Sequence, residues 1–412
     1  MERNTVDASD ACWQSQWQDN GKIVENITPS GFADLDEWTA ECLADRPTNL
    51  GYPGNQDSKL ASFYRWYTAN GLERMIINNA GDPFDDNIPA LCSIKFEREV
   101  IEYFAPKYGF DLDNVWGLVT MSGTDGNNHG IYFGVNRLRR QTGKEPIVYV
   151  SDEAHYSNHR LCDLQHLDLR IVKSNDMGQM MPEELDRVID PSRPCLMVFA
   201  MGSTFKGAVD DQETLNKVLA KYEGMAVYRH VDAALFGGYL PFTAHKEMVD
   251  HKRLGFDSIS ISGHKFFGID SPCGLFITTR DVYDSQLTYD ITYLNADMRM
   301  INCSRSGIEP LKFWWLIKTV GDEGWTQQAE QIKENTEFLK AELQRIGWPY
   351  WNNRFSNTVI FRRPSAEIVR KYNLACGENS VFGGKLSHVV VMQHVTKDAI
   401  RKLIADLEEE KK

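Results

Sequence analysis

The chain has 412 residues, 42% hydrophobic and 25% charged, a composition typical of globular proteins and a length that predicts more than one domain. Its net charge of −13 argues against nucleic acid or an anionic membrane as a partner, because both require a basic face. The eight cysteines are widely spaced without a CxxC pair, which indicates reduced thiols in a cytoplasmic protein and no metal site. No apolar run is long enough to span a bilayer.

The first 50 residues are predicted to form an N-terminal arm with a helix near Asp34–Asp45. This arm contains three tryptophans, Trp13, Trp17 and Trp38. Exposed aromatic side chains would be poorly placed on an isolated monomer, so we expect a partner subunit to cover them.

From about residue 49 to residue 290, short β-rich runs alternate with helical stretches. The runs occupy residues 146–151, 169–174, 195–201, 225–232, 258–262 and 274–279. The helical stretches between them include residues 126–141, 182–189 and 212–222. This alternation predicts an α/β domain with a mostly parallel sheet. The strands are continuously apolar, which fits a sheet that is covered on both faces.

We place the large domain at residues 51–304 and a smaller α+β domain at residues 305–412. The smaller domain is predicted to begin with one long helix, or two in series, over residues 307–346. Further strands are predicted over residues 357–363 and 388–393, and further helices over residues 366–373 and 397–410.

The stretch SISISGHK places Lys265 just after a buried β-run, next to His264 and close to Ser262. A lysine at the end of a buried strand is costly unless its amine has a chemical task. The usual task is a Schiff base with pyridoxal phosphate (PLP), because burial lowers the lysine pKa and makes the amine nucleophilic.

Asp232 ends another apolar run and is followed by small residues. A buried carboxylate requires a cationic partner or strong hydrogen bonds. In a PLP enzyme it pairs with the pyridine nitrogen and keeps that nitrogen protonated. The alternative is an aspartate that caps the following turn.

A possible phosphate site occurs at the turn MSGTDGN, which includes Gly123 and Thr124 and leads into a helix. Backbone N–H groups at a helix N-terminus suit a phosphate dianion, and Thr124 could add a hydroxyl. An ordinary βα turn with Thr124 or Asp125 as N-cap is the alternative.

His155 and Ser203 each follow a predicted strand. The ring of His155 could stack on the cofactor, and the hydroxyl of Ser203 could reach the pyridine 3′-oxygen or the phosphate. A structural histidine and a serine turn remain the alternatives at these positions.

The polar and aromatic stretch 289–307 has no clear period and is predicted to form a mobile loop followed by an anchor at Arg305. Tyrosines on such a loop, Tyr289 or Tyr293, could act as acids over a site that closes. For Arg305 an ion pair is an equal alternative. Most of these candidates fall at the C-terminal ends of strands, where open α/β sheets bind ligands.

Taken together, these motifs resemble those of the PLP-dependent group II amino-acid decarboxylases, most closely the bacterial histidine decarboxylases and the plant serine decarboxylases. The resemblance covers roughly residues 48–408 and includes HYS, GSTFKGAVDD, HVDAALFGG, SGHKFFGIDSPCG, SRSG and the histidine pair His388 and His394. It implies the fold-type I, aspartate aminotransferase-like architecture and a homodimer with shared active sites.

By this resemblance Lys265 is the Schiff-base lysine, Asp232 the pyridinium partner and His155 the stacking residue. The phosphate would be lined by Gly123, Thr124, Ser262 and His264. The catalytic tyrosine would be Tyr293, with Tyr289 as the alternative.

The resemblance leaves the substrate open. Histidine leads, and an acidic amino acid is the alternative if Lys206, Arg299 and Arg305 face the pocket. Serine is a third candidate. Aminotransfer and oxidative deamination are the other PLP reactions considered, but a tyrosine on the loop favours simple decarboxylation. A DNA-binding regulator of this fold would need a basic domain, and the acidic arm is not one.

Overall fold

The computed structural model describes residues 29–85, 89–291, 296–379 and 383–411. The chain divides into two compact units, Met1–Pro47 and Thr48–Lys412. The first unit contains helix α1 (Pro29–Asp45), which confirms the helix predicted near its end and shows that it begins earlier. Trp13 and Trp17 lie outside the described residues. The predicted boundary between residues 304 and 305 stays a prediction.

The strands of the second unit, in chain order, are β1 (Asn78–Ala80), β2 (Val115–Thr120), β3 (Ile147–Ser151), β4 (Asp168–Val172), β5 (Cys195–Ala200), β6 (Val227–Asp232), β7 (Ser258–Ser262), β8 (Gly274–Thr279), β9 (Tyr289–Ile291), β10 (Ala296–Met298), β11 (Ser304–Ser306), β12 (Tyr350–Asn352), β13 (Thr358–Arg362), β14 (Ala375–Asn379) and β15 (Gly384–Val390).

The helices after α1 are α2 (Ala61–Ala69), α3 (Ile94–Phe104), α4 (Gly123–Thr142), α5 (Tyr156–Leu164), α6 (Pro182–Val188), α7 (Gln212–Leu219), α8 (His251–Leu254), α9 (Arg280–Asp284), α10 (Ile308–Thr319), α11 (Gly321–Arg345), α12 (Ala366–Lys371) and α13 (Lys397–Glu410). None of the helices in the described ranges is long and apolar enough to cross a membrane.

The main sheet has seven strands in the order β2-β8-β7-β6-β5-β3-β4. Strand β8 runs antiparallel to both of its neighbours, and the other pairs are parallel. The strands β2, β3, β5 and β7 are buried along their whole length. The apolar runs of β3 and β5 predict this burial, whereas β7 alternates serine with isoleucine and buries its serines as well. The predicted α/β architecture with a mostly parallel sheet is therefore confirmed.

Helix α4 packs on strands β6, β7 and β8 at very short range. Two glycines on the helix make this approach possible. A Cβ at Gly126 would lie 2.2 Å from Ser260 Oγ, and a Cβ at Gly130 would lie 2.2 Å from His230 Nδ1. The helix that begins at the predicted phosphate turn is thus held directly against the strands that end in Asp232 and Ser262.

The C-terminal region contains an antiparallel sheet in the order β12-β13-β15-β14. The helical stretch predicted over residues 307–346 is two helices, α10 and α11, separated at Gly321, which has a φ of +60°. Strand β14 was not predicted, because the sequence ACGEN has little β propensity and gains its strand conformation by pairing with β15.

The stretch predicted as a loop without a period contains a hairpin in which β9 pairs antiparallel with β10. Each strand has three residues, which is too short for alternation to be recognised in the sequence. Strand β11, which follows this hairpin in the chain, pairs antiparallel with β1.

Candidate active site

The strands that precede the candidate residues end at one edge of the main sheet. Strands β3, β5, β6 and β7 pair in parallel, and β2 has the same direction as β7 because both are antiparallel to β8. The structure therefore brings to this edge the residues that end or follow these strands, namely Gly123, His155, Ser203, Asp232 and Lys265.

Lys265 lies in the turn after β7, and its main chain is fixed on both sides. Asn55 N–H donates to the carbonyl of His264 (3.3 Å), and Gln393 Nε2 donates to the carbonyl of Phe266 (2.7 Å). Burial lowers the pKa of the Lys265 amine, and the negative charge of Asp232 opposes this shift. The amine is therefore more readily deprotonated than a solvated lysine, as a nucleophile requires.

The carboxylate of Asp232 is 7% exposed and accepts two hydrogen bonds from neutral N–H groups. Asn158 Nδ2 donates to one oxygen (2.9 Å), and the backbone N–H of Ala234 donates to the other (3.2 Å). Sequence reasoning missed Asn158, and its position in the HYSN motif, three residues after His155, was the only available signal.

His155 is the N-cap of helix α5 and is half-buried. Its Nδ1 accepts the backbone N–H of Ser157 (3.3 Å) and lies 2.7 Å from Ser157 Oγ. Burial lowers the pKa of His155, nearby Lys265 acts in the same direction, and Asp232 opposes them. The neutral ring therefore carries its proton on Nε2, since Nδ1 is an acceptor.

At the predicted phosphate turn, the N-cap of helix α4 is Ser122, whose Oγ accepts the backbone N–H of Asp125 (3.2 Å). Neither Thr124 nor Asp125 is the N-cap, so the alternative was wrong in its choice of residue. A Cβ at Gly123 would lie 2.5 Å from Ser262 Oγ, so the turn and the end of β7 are in close contact. The exposed Thr124 follows Gly123 in the first helical turn.

Two further candidates already use part of their hydrogen-bonding capacity. Ser203 Oγ accepts the backbone N–H of Ala208 (3.0 Å), five residues further along rather than the two residues of a serine turn, and its O–H can still donate. His264 Nδ1 lies 3.2 Å from the carbonyl of Cys273, and burial lowers its pKa. Nε2 is then an acceptor in the neutral ring, so donation to a phosphate requires the protonated ring.

Tyr293 lies outside the described residues. Tyr289 begins strand β9 and is exposed. The choice between the two tyrosines therefore stays a prediction.

A buried chain of polar side chains, also missed by sequence reasoning, lies behind Asp232. His230 Nδ1 lies 2.8 Å from Ser258 Oγ, and His230 Nε2 lies 3.0 Å from Asn127 Oδ1. Burial lowers the pKa of His230 to about 4, so the ring is neutral at physiological pH. The HVD triplet was the only sequence signal, and a buried histidine on a strand has no distinctive pattern.

These residues fit PLP. Lys265 offers an amine of lowered pKa, Asp232 offers a buried carboxylate, and the turn at Gly123 is a helix N-terminus that leaves no room for a Cβ against Ser262. An aldehyde, a pyridine nitrogen and a phosphate require these three kinds of group.

Comparison with known proteins agrees with this chemistry. Residues 137–348 match the model of the pyridoxal-dependent decarboxylase conserved domain. The chain is 32% identical to a histidine decarboxylase of Solanum lycopersicum over 90% of its length and 87% of that protein. It is 33% identical to serine decarboxylase 1 of Oryza sativa subsp. japonica, covering 88% of the chain and 72% of that protein. A histidine decarboxylase of Pseudomonas entomophila is 31% identical, with 89% and 88% covered.

Solved structures share the fold. The L-methionine decarboxylase of Streptomyces sp.590 superimposes with a TM-score of 0.78 at 21% identity, covering 94% of this chain and 97% of that one. The glutamate decarboxylase of Lactobacillus brevis gives a TM-score of 0.73 at 16% identity, covering 94% and 93%. The chain therefore belongs to the pyridoxal-dependent decarboxylase family and is a PLP-dependent amino-acid decarboxylase.

Proposed function

We propose that the enzyme decarboxylates L-histidine to its amine and CO₂. Histidine decarboxylases are 30–32% identical to this chain and are matched over 87–95% of their length. Serine is the second candidate, because serine decarboxylase 1 has the same degree of similarity. We also propose a cytoplasmic homodimer with shared active sites.

The paired state of Lys206 and Arg305 supports a substrate without a second carboxylate, whereas the buried Nε of Arg299 has no hydrogen-bond partner among the described residues. Lys206 Nζ lies 2.5 Å from Glu153, and Arg305 forms a buried ion pair with Glu97 at 2.8 Å. Arg299 lies over the ring of Tyr283 at 5.3 Å and 3.9 Å from Asp284. A substrate carboxylate would have to displace Glu153 from Lys206 or Glu97 from Arg305, which favours a substrate without a second carboxylate.

In the proposed mechanism each residue binds or orients one part of the reacting assembly. The amine of Lys265 would hold the cofactor through its aldehyde, and Asp232 would keep a proton on the pyridine nitrogen. The ring of His155 would pack against the cofactor. Bound PLP supplies the sink for the electron pair left at Cα when CO₂ departs.

The remaining assigned residues bind the phosphate or move the last proton. Gly123, Thr124, Ser262 and His264 are proposed to line the phosphate, and Ser203 O–H is proposed to contact the cofactor. Tyr293 is proposed to supply the proton to Cα, and Lys265 would hold the cofactor again once the amine product has left.

The test is a panel of L-amino acids with the purified, PLP-loaded protein, with CO₂ release and amine product both measured. We expect histamine from histidine at a kcat/KM at least roughly tenfold above that of serine, aspartate or glutamate. A Lys265→Ala variant serves as the control, because it keeps the pocket but lacks the amine.

Different outcomes refute different parts of this proposal. Turnover of aspartate or glutamate alone would refute the substrate argument from the paired cations. Turnover of serine alone would select the second candidate. A keto acid formed without CO₂ would indicate aminotransfer.

A further inference from the structure

Asn158 is fully buried, and within the described residues its side chain makes one hydrogen bond, from Nδ2 to Asp232 (2.9 Å). Its Oδ1 is buried and has no partner in the same part of the chain. A buried amide oxygen without a partner costs free energy. The fold therefore gains little from this amide, and its evident contact is with the Asp232 carboxylate.

Asp232 depends on Asn158 for support from outside its own turn. The other bond to this carboxylate comes from Ala234, two residues further along the same segment. The neighbouring His230 does not supply a positive charge, because burial lowers its pKa to about 4. Among the described residues, Asn158 is thus the donor that ties Asp232 to another structural element.

The same helical turn also orients His155. The backbone N–H of Ser157 donates to His155 Nδ1, and the backbone N–H of Asn158 donates to the carbonyl of His155 (3.0 Å). The first turn of α5 therefore supports both the carboxylate and the imidazole ring. A shift of this turn would move both groups together.

We propose that Asn158 is a positioning residue that holds the Asp232 carboxylate, in register with the His155 ring, for the pyridine nitrogen of PLP. The proposal rests on the role proposed above for Asp232 and does not depend on which amino acid is the substrate. Asn158 itself acts through Asp232.

The first test is the variant Asn158→Leu, measured by titration of the cofactor-free protein with PLP and by the visible absorbance of the bound cofactor. We expect PLP to bind roughly 10- to 100-fold more weakly, the effect of losing a hydrogen bond to a charged group. We also expect kcat to fall while KM changes little. Leucine removes the unpaired oxygen as well, so the fold should be retained.

The matched control is Asn136→Leu. Asn136 is also a buried asparagine, one amide atom of which has no partner in the described part of the chain, and it lies on helix α4 about 20 Å along the axis from Gly123. This variant should bind PLP as the wild type does. A loss of PLP affinity in both variants would show that any buried asparagine matters, which would overturn the proposal.

The second test uses Asn158→Asp and the pH. At high pH two adjacent carboxylates repel each other, so this variant should bind PLP more weakly than Asn158→Leu. As the pH falls, one proton enters the pair, and the protonated group can donate to Asp232 as the amide did. The ratio of variant to wild-type PLP affinity should therefore rise towards one as the pH is lowered.

The proposal fails if Asn158→Leu keeps wild-type PLP affinity, absorbance and kcat, or if Asn158→Asp shows no recovery at low pH. Asp232→Asn separates this failure from a failure of the role of Asp232. If Asp232→Asn weakens PLP binding and Asn158→Leu does not, only the role of Asn158 is refuted. If neither does, the role of Asp232 is refuted as well.

Discussion

At the scale of single residues, the charges of Lys265 and Asp232 act on each other across the site. Burial lowers the pKa of Lys265, and the carboxylate of Asp232 limits that shift. The nucleophile and the group proposed to hold the cofactor ring are therefore electrostatically linked. The ring of His155 is close to both charges. Burial and Lys265 lower its pKa, so the ring is neutral.

This link predicts a pH effect of Asp232→Asn. Removing the negative charge should lower the pKa of Lys265 further, because the charge that opposes the shift is gone. The rate of PLP incorporation into the cofactor-free protein should then reach its half-maximum at a lower pH than in the wild type. Stopped-flow absorbance across a pH series measures this midpoint, and an unchanged or higher midpoint would contradict the link.

His230 predicts a pH dependence of stability. Its pKa is about 4 in the folded protein, below the usual 6.5, so between these values the unfolded chain binds the proton and the folded chain does not. The contribution of the neutral His230 ring to the unfolding free energy is therefore fully present above pH 6.5, and it decreases as the pH falls towards 4. The wild type should therefore lose unfolding free energy through this residue between pH 8 and pH 5.

The measurement is urea unfolding of the wild type and of His230→Gln at both pH values. Glutamine does not titrate, so the stability advantage of the wild type over the variant should shrink at pH 5. A constant difference between the two proteins would refute the assignment of a neutral buried ring.

At the scale of secondary-structure elements, the hairpin β9–β10 begins with Tyr289, and Tyr293 lies outside the described residues. We expect Tyr293→Phe to lower amine production by roughly 100-fold, because general-acid groups contribute about this factor. Without the phenol, Cα would remain unprotonated and could react with oxygen. An aldehyde product should therefore appear. Mass spectrometry of the products tests this, with Tyr289→Phe as the matched control.

The segment that carries this hairpin is anchored by a buried ion pair. Arg305 on β11 contacts Glu97 on α3, and both side chains are at most 1% exposed. Glu97 also accepts hydrogen bonds from Asn79 and from the backbone of Val119. Helix α3 and strands β1, β2 and β11 are thus joined at one carboxylate.

Removing one partner of this pair should be more harmful than removing both charges. Arg305→Met leaves a buried carboxylate unpaired and should cost about 3–5 kcal/mol of unfolding free energy. Adding Glu97→Gln should recover part of that loss. A double-mutant cycle by urea unfolding tests this, and strict additivity would contradict it. Arg345→Met, which breaks an exposed pair with Glu342, should barely change stability.

At the scale of the whole molecule, the histidine pair of the sequence motifs links the C-terminal sheet to distant segments. His388 on β15 lies 2.6 Å from the carbonyl of Phe205 and 2.9 Å from that of Gly51. His394 lies 2.8 Å from the carbonyl of Asn49 and accepts the backbone N–H of Gln56. The segment near Ser203 and the segment from Asn49 to Gln56 are therefore held in part by residues of the C-terminal sheet region.

The proposed homodimer predicts an effect of the N-terminal helix. Trp38 on α1 is 61% exposed, and we expect it to be covered by a partner subunit. Trp38→Ser should weaken self-association roughly 10- to 100-fold, because burying a large apolar side chain contributes about 1.5–3 kcal/mol. Glu37→Ser on the same helix is the control. Analytical ultracentrifugation measures both, and equal association would refute the role of Trp38.

Much of this protein is determined locally by its sequence. The alternation of apolar runs with helical stretches predicted the parallel sheet, and the polar residues just after those runs, Lys265, Asp232 and His155, predicted the PLP site. These features are recognisable because each depends on neighbours within a few residues. Chain order and the direction of parallel strands then bring them to one edge of the sheet.

The tertiary structure alone decided which distant groups meet. Arg305 pairs with Glu97, Lys206 with Glu153, and Asp232 with Asn158, in each case across a long stretch of chain. Helix α4 approaches His230 closely because Gly130, at the point of contact, has no side chain. No periodicity or local motif encodes such pairs, since a charged or amide side chain selects its partner only after packing has brought the two elements together.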